Sequence, residues 1–189
     1  MSPEQLASVN AEHSHQRALF AWCNIAERFG FDLAWDERTY ETGALAQFVE
    51  GGANSNMARP VPELKWFHAI PNGGPRDAIT AGKLKVEGVK KGVLDCFLPL
   101  PLRAYGTEPA SYMQLVYAGL YIELKRPKTE KEGVRKAKII DQQGGTLSPE
   151  QTEFVAYARG VGYAVSVCYH WRSAADDLQS YIEAVRNNR

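Results

Sequence analysis

Two apolar runs, each broken by a single acid, constrain this 189-residue chain more than any other feature. Residues 92–99 read GVLDCFLP and residues 117–125 read YAGLYIELK. Both are β-rich and of a length suited to central strands of a covered sheet. A carboxylate inside such a strand costs free energy unless it is paired or holds a cation. Asp95 lies between Leu94 and Cys96, and Glu123 between Ile122 and Leu124. Lys125 follows Glu123 by two, so on a strand their side chains share a face. If Asp95 stands on the neighbouring strand and faces the same way, three charged groups converge.

The rest of the chain supplies layers for such a sheet. Residues 10–29 carry Leu19, Phe20, Trp22, Cys23 and Ile25–Ala26 at helical spacing, with Asn10 as N-cap and Gly30 as the stop. Residues 41–64 form a polar loop rich in Gly, Pro and Asn. Residues 65–70, KWFHAI, are expected as a short strand, ended by the turn Pro71-Asn72-Gly73-Gly74. Residues 75–87 follow as a helix with Ile79 and Leu84 inward and lysines outward. The links over 101–114 and 126–147 are expected as loops, the first turn-rich and the second charged. Ser148, Pro149 and Gln151 form the signature of a capping box that opens a helix ending at Gly160 and Gly162. Residues 163–169 are a strand and 173–187 a last amphipathic helix. The order α, β, α, β, β, α, β, α predicts one mixed sheet with helices on its faces. No internal repeat, GxGxxG or P-loop pattern is present.

Composition narrows the class. With 44% hydrophobic and 23% charged residues the chain is a globular domain, not a disordered tail, collagen-like rod or coiled coil. Its length suits one domain. Cys23, Cys96 and Cys168 form no CxxC pair, which argues against a zinc knuckle and for reduced thiols in a cytosolic protein. No apolar run approaches the ~20 residues of a membrane span, and the polar N-terminus does not read as a signal peptide. Basic and acidic residues balance at 22 each, but unevenly. Residues 1–50 hold 3 basic and 8 acidic side chains, residues 59–138 hold 15 and 8, and residues 139–189 hold 4 and 6. The middle segment can supply a phosphate-facing strip, or simply a solvated face.

Two converging carboxylates offer hard oxygen donors suited to Mg²⁺ or Mn²⁺. An adjacent lysine can orient a water and stabilise developing negative charge. Those are the parts of phosphodiester hydrolysis, though an internal Asp–Lys or Glu–Lys ion pair would use the same residues. Arg76, Lys83, Lys85, Lys90 and Lys91 flank Asp95 and would steer phosphates if the acids form a site. Lys128, Lys131, Arg135, Lys136 and Lys138 follow Glu123. Asn72 and Gly73 belong to a turn whose N–H groups can also hold a phosphate. His13 and His15, two apart on a helix, do not share a face, so a histidine metal site is not expected. Trp22 and Trp66 are expected in the core.

The stretch HAIPNGGPRDAITAGKLKVEGVKKGVLDCFLPLP, then GLYIELKRP, then GTLSPEQTEFVAYARGVGYAVSVC, resembles the virus-type replication–repair nuclease (VRR-NUC) family of the PD-(D/E)XK superfamily. The resemblance covers residues 66–102, 119–127 and 145–187, together with the helix carrying Glu12 and Gln16. The family usually reads GVPD where this chain has Gly92-Val93-Leu94-Asp95, a change that spares the carboxylate. The resemblance implies a restriction-endonuclease-like α/β core. It implies a single nuclease domain over residues 1–189, with 41–64, 103–117 and 128–144 as variable insertions. By position, Asp95 and Glu123 would be ligands of Mg²⁺ or Mn²⁺, and Lys125 would stand beside the attacking water. Gln151 would support the site or touch the scissile strand, and His68 opens a family motif. Glu12 would reach the metal through water; alternatively it complements its own helix dipole.

The implied activity is a metal-dependent, structure-specific DNA endonuclease of the Holliday-junction-resolvase kind. It would act on branched or junction DNA as a homodimer in the cytoplasm of a bacterial or phage-infected cell. A flap or single-strand nuclease is the alternative within the class. A non-catalytic DNA-binding module that keeps the fold is the alternative outside it. An enzyme acting on small phosphorylated substrates lacks a phosphate-cradling glycine loop.

Overall fold

The computed structural model describes residues 1–8, 12–41, 59–71, 78–105, 113–132, 136–140 and 144–188, with backbone alone for 78–81, 129–132 and 136–140. In chain order the strands are β1 (His68–Ala69), β2 (Cys96–Leu98), β3 (Leu102–Tyr105), β4 (Met113–Tyr117), β5 (Leu120–Leu124), β6 (Lys128–Glu132), β7 (Lys136–Ile140) and β8 (Ala164–Cys168). The α-helices are α1 (Pro3–Ala7), α2 (Glu12–Phe29), α3 (Phe31–Trp35), α4 (Ala78–Val86), α5 (Pro149–Gly160) and α6 (Trp171–Asn187). β1, β2, β5 and β8 form one sheet in that order. β2 pairs antiparallel with both β1 and β5, and β8 runs parallel to β5, with α5 as the crossover. This mixed sheet flanked by helices is the architecture expected of a restriction-endonuclease-like core.

Alternation along β5 divides the molecule. Leu120, Ile122 and Leu124 point to the core and are at most 2% exposed. They join Ala18, Leu19, Trp22 and Ala26 of α2 and Leu178 and Ile182 of α6 in one apolar cluster. Tyr121 and Glu123 point the other way, toward α5, where Phe154 packs against Tyr121. Each Leu or Ile buried in this cluster contributes roughly 1.5–3 kcal/mol relative to exposure. Gly30, at φ 102°, ends α2 where a Cβ would meet the Arg59 carbonyl oxygen at 2.6 Å. Asn10, the expected cap of that helix, lies outside the described residues.

Several expected boundaries shift for identifiable reasons. Pro62 opens a 3₁₀ helix running through Trp66, so the strand expected over 65–70 shrinks to His68–Ala69. Trp66 is therefore not core; it is 67% exposed, with the Lys65 ammonium over its ring. The strand expected over 92–99 is only Cys96–Leu98, and Asp95 sits at the bend leading into it. The run 117–125 splits, because Tyr117 closes β4 and the central strand begins at Leu120. The expected loops over 103–117 and 128–144 instead carry antiparallel hairpins, β3–β4 and β6–β7. β4 is exposed at every position, so it has no inward–outward alternation to read. In β6–β7 the register sets Glu130 opposite Lys138 and Glu132 opposite Lys136.

Candidate active site

The site forms where β2 begins and β5 ends. Cys96 pairs with Ile122, so one step further Asp95 stands opposite Glu123. The two residues hold each other. The Asp95 N–H donates to Glu123 Oε2 at 3.2 Å, and the Leu124 N–H donates to Asp95 Oδ2 at 2.9 Å. Glu123 is fully buried. Its Oε1 lies 2.6 Å from the Lys125 ammonium and also accepts from the Gln151 amide. Lys125 is itself 8% exposed, and its backbone N–H donates to the Cys168 carbonyl, carrying the β8 pairing one residue past the strand.

Gln151 does two jobs. Its Oε1 accepts from the Ser148 N–H at 3.0 Å, closing the capping box of α5, and from Lys125 Nζ at 2.9 Å. The helix start and the site are thus one hydrogen-bonded unit. Its position against Asp95 is fixed by close packing of Gly92 on α5. Gly92 has φ 90°, and a Cβ there would sit 2.6 Å from the Glu150 backbone. Lys91, next to it, pairs with Glu150 at 2.5 Å. That contact holds the Glu150 carboxyl well below its ordinary range.

Electrostatics mark the pocket as crowded with negative charge. Burial, then the Asp95 charge, pushes the Glu123 carboxyl up to about 7 despite Lys125 beside it. Burial also raises Asp95, against the Leu124 N–H and the Lys125 charge. Glu12, at the start of α2, is raised by burial of its carboxyl and by Asp95, opposed by Lys125 and the Arg126 N–H. These couplings bring Glu12 into the same electrostatic unit. Gln16, one turn on, donates to Cys96 Sγ at 3.9 Å. All three cysteines are buried and none is in a disulfide.

Among the described residues, no three His, Cys, Asp or Glu side chains are gathered into a closed metal cage. The donor set still fits a hard cation. Mg²⁺ is commonly held by one or two carboxylates, its remaining positions going to water and substrate phosphate. Asp95 and Glu123 provide such a pair, and the burial cost that lifts their pKa values is the penalty a cation would relieve.

The predicted site residues separate into three groups. Asp95, Glu123, Lys125 and Gln151 are joined by hydrogen bonds, with Glu12 adjacent. Lys83, Lys85 and Lys90 are exposed on or after α4, while Lys91 is engaged by Glu150. Asn72, Gly73 and Arg76 lie outside the described residues, as does Arg135. His68 is exposed, with Nδ1 2.8 Å from the Trp66 carbonyl. Sequence reading passed over Phe97 and Tyr121, which share the site's face of the sheet. Their signal was parity: each lies two positions from a strand acid.

No family model matches the chain, and no curated protein matches it. Among solved structures it is similar to one described as a VRR_NUC domain protein, at 24% identity and a TM-score of 0.41, over 67% of this chain and 74% of that one. No described helix is long and apolar enough to cross a membrane.

Proposed function

We propose that the protein is a divalent-cation-dependent, structure-specific DNA endonuclease of the junction-resolving kind. One observation carries this reading: a buried carboxylate, a half-buried one, a buried lysine and a glutamine are joined by hydrogen bonds on one sheet face. A purely structural ion pair needs one acid and one base. Here Asp95 adds a second acid that raises the cost of Glu123, as functional sites characteristically do.

Asp95 and Glu123 would hold Mg²⁺ or Mn²⁺, with Glu12 reaching it through water. Such a cation, when bound, polarises a phosphate oxygen and offsets charge on the phosphorane-like transition state. Lys125 hydrogen-bonds the attacking water and stabilises the negative charge that develops on the phosphate. Gln151 keeps the Lys125 ammonium and the Glu123 carboxylate in register through its two amide atoms. Lys83, Lys85 and Lys90 supply phosphate contacts that position DNA without reading sequence. Two copies about a two-fold axis would place paired sites on a four-way junction.

The test is cleavage of a labelled four-way junction beside matched linear duplex, flap and single strand, in Mg²⁺, Mn²⁺ or EDTA. The expected result is metal-dependent, symmetrical junction cutting that is lost in Lys125→Ala and Asp95→Asn. Binding without cutting under both metals would overturn the enzymatic reading in favour of a DNA-binding module.

A further inference from the structure

Six aromatic rings line the sheet face that carries the carboxylates. Across the strands His68 stands in register with Phe97, and Phe97 with Tyr121. The Phe97 and Tyr121 rings stack at 4.4 Å, and His68 meets the edge of Phe97 at 5.9 Å. Tyr163 and Phe154 each lie 5.3 Å from Tyr121, and Tyr157 extends the strip along α5. None of the six belongs to the buried core. The two ends, His68 and Tyr157, are exposed, Tyr157 by 63%.

The strip begins at the carboxylates. Phe97 is two residues beyond Asp95, and Tyr121 two before Glu123, a step of about 6.6 Å along a strand. A phosphate held at the acids would leave its neighbouring nucleotide over these rings. A protein partner laid on the strip would also cover the acids and close the site the nuclease reading requires open. Aromatic faces accept any base by stacking. Bases inside a duplex do not present their faces, whereas unpaired ones do.

Resting on the nuclease reading, we infer that this strip stacks an unpaired nucleobase beside the scissile phosphate, selecting substrates with unpaired nucleotides at the cut. The test is binding in EDTA, where cleavage does not intervene, of two oligonucleotides carrying the fluorescent base 2-aminopurine. One places it in a short unpaired stretch, the other in continuous duplex. Stacking on the parent protein should quench the unpaired probe. Phe97→Leu should weaken binding of the unpaired probe about tenfold, as expected for losing one stacked base, and change duplex binding less than twofold. Should Phe97→Leu melt early, Tyr157→Ala on the exposed helix face gives the same contrast, at about fivefold. Equal losses on both probes, or none, would overturn the inference. So would a variant that shifts a dimer to monomer in sedimentation while both affinities hold, since the strip would then join copies of the chain. A parent that cuts junctions in Mg²⁺ yet leaves the unpaired probe unquenched refutes the strip alone. A parent that binds no DNA refutes the nuclease reading with it.

Discussion

The two sides of β5 obey different rules within five residues. Leu120, Ile122 and Leu124 pack against α2 and α6 and stabilise the fold. Tyr121 and Glu123, with Lys125 just past the strand end, face α5, and the charged pair is buried at a cost. One side contributes stability; the other holds the groups to which we assign the chemistry. The contrast teaches that a strand can be central to folding and to chemistry at once, because alternation keeps the two tasks on opposite faces.

The comparison can be broken first from the polar side. Lys125→Ala should lower junction cleavage a hundredfold or more, the typical cost of losing one charge-stabilising donor. Its thermal midpoint should move little, because Glu123 can take up a proton. Steady-state cleavage and melting, measured on one preparation, check both halves. From the apolar side, Ile122→Ala should cost about 3 kcal/mol in a urea titration through the cavity it leaves. Its cleavage rate well below the unfolding midpoint should stay within a few-fold of the parent. Loss of activity in proportion to stability would merge the two faces into one role.

The hinge between the faces is Gly92. Gly92→Ala places a Cβ 2.6 Å from the Glu150 backbone at a positive φ. We expect a stability loss of about 1–3 kcal/mol. Cleavage should fall further than stability predicts, because α5 carries Gln151. Parallel falls would show the contact to be merely structural.

The smallest effect sharpens the contrast through pH. His15 is fully buried beside His170, with ring centroids 4.8 Å apart. Burial, then the His170 charge, lowers His15 to about 4. The unfolded chain therefore binds the extra proton first. The His15 contribution is complete above pH 6.5 and is lost as pH falls toward 4, by at most about 1.4 kcal/mol per pH unit. Glu123 has the opposite sign. Its folded carboxyl keeps its proton to about 7, so its contribution is lost as pH rises from 4.5 through 7. Urea midpoints of His15→Gln and the parent, compared from pH 4 to 8, should converge at the acid end. A constant gap would refute the assignment.

How legible this was in the sequence followed from how each signal is made. The order of core elements was readable because apolar periodicity reports burial directly. The acids stood out because Asp95 and Glu123 interrupt that periodicity. Gln151 was visible twice, as the third residue of a helix and by resemblance, and the structure shows why: one amide serves the cap and the lysine. The hairpins were not legible. Met113–Tyr117 has no buried face, and the register that pairs Lys128–Glu132 with Lys136–Ile140 appears only once the partner strand is known. Trp66 misled because a large indole usually buries, whereas Pro62 commits the segment to a 3₁₀ turn that points it outward.

The most direct test of the account is Glu123→Gln, measured for metal-free melting at pH 5 and pH 8 and for Mg²⁺-dependent junction cleavage. A neutral amide keeps the shape and removes the buried charge. The account predicts a variant that melts like the parent at pH 5, melts higher at pH 8, and has lost at least a hundredfold in cleavage. A variant that cuts as well as the parent, or melts lower at pH 8, would contradict it.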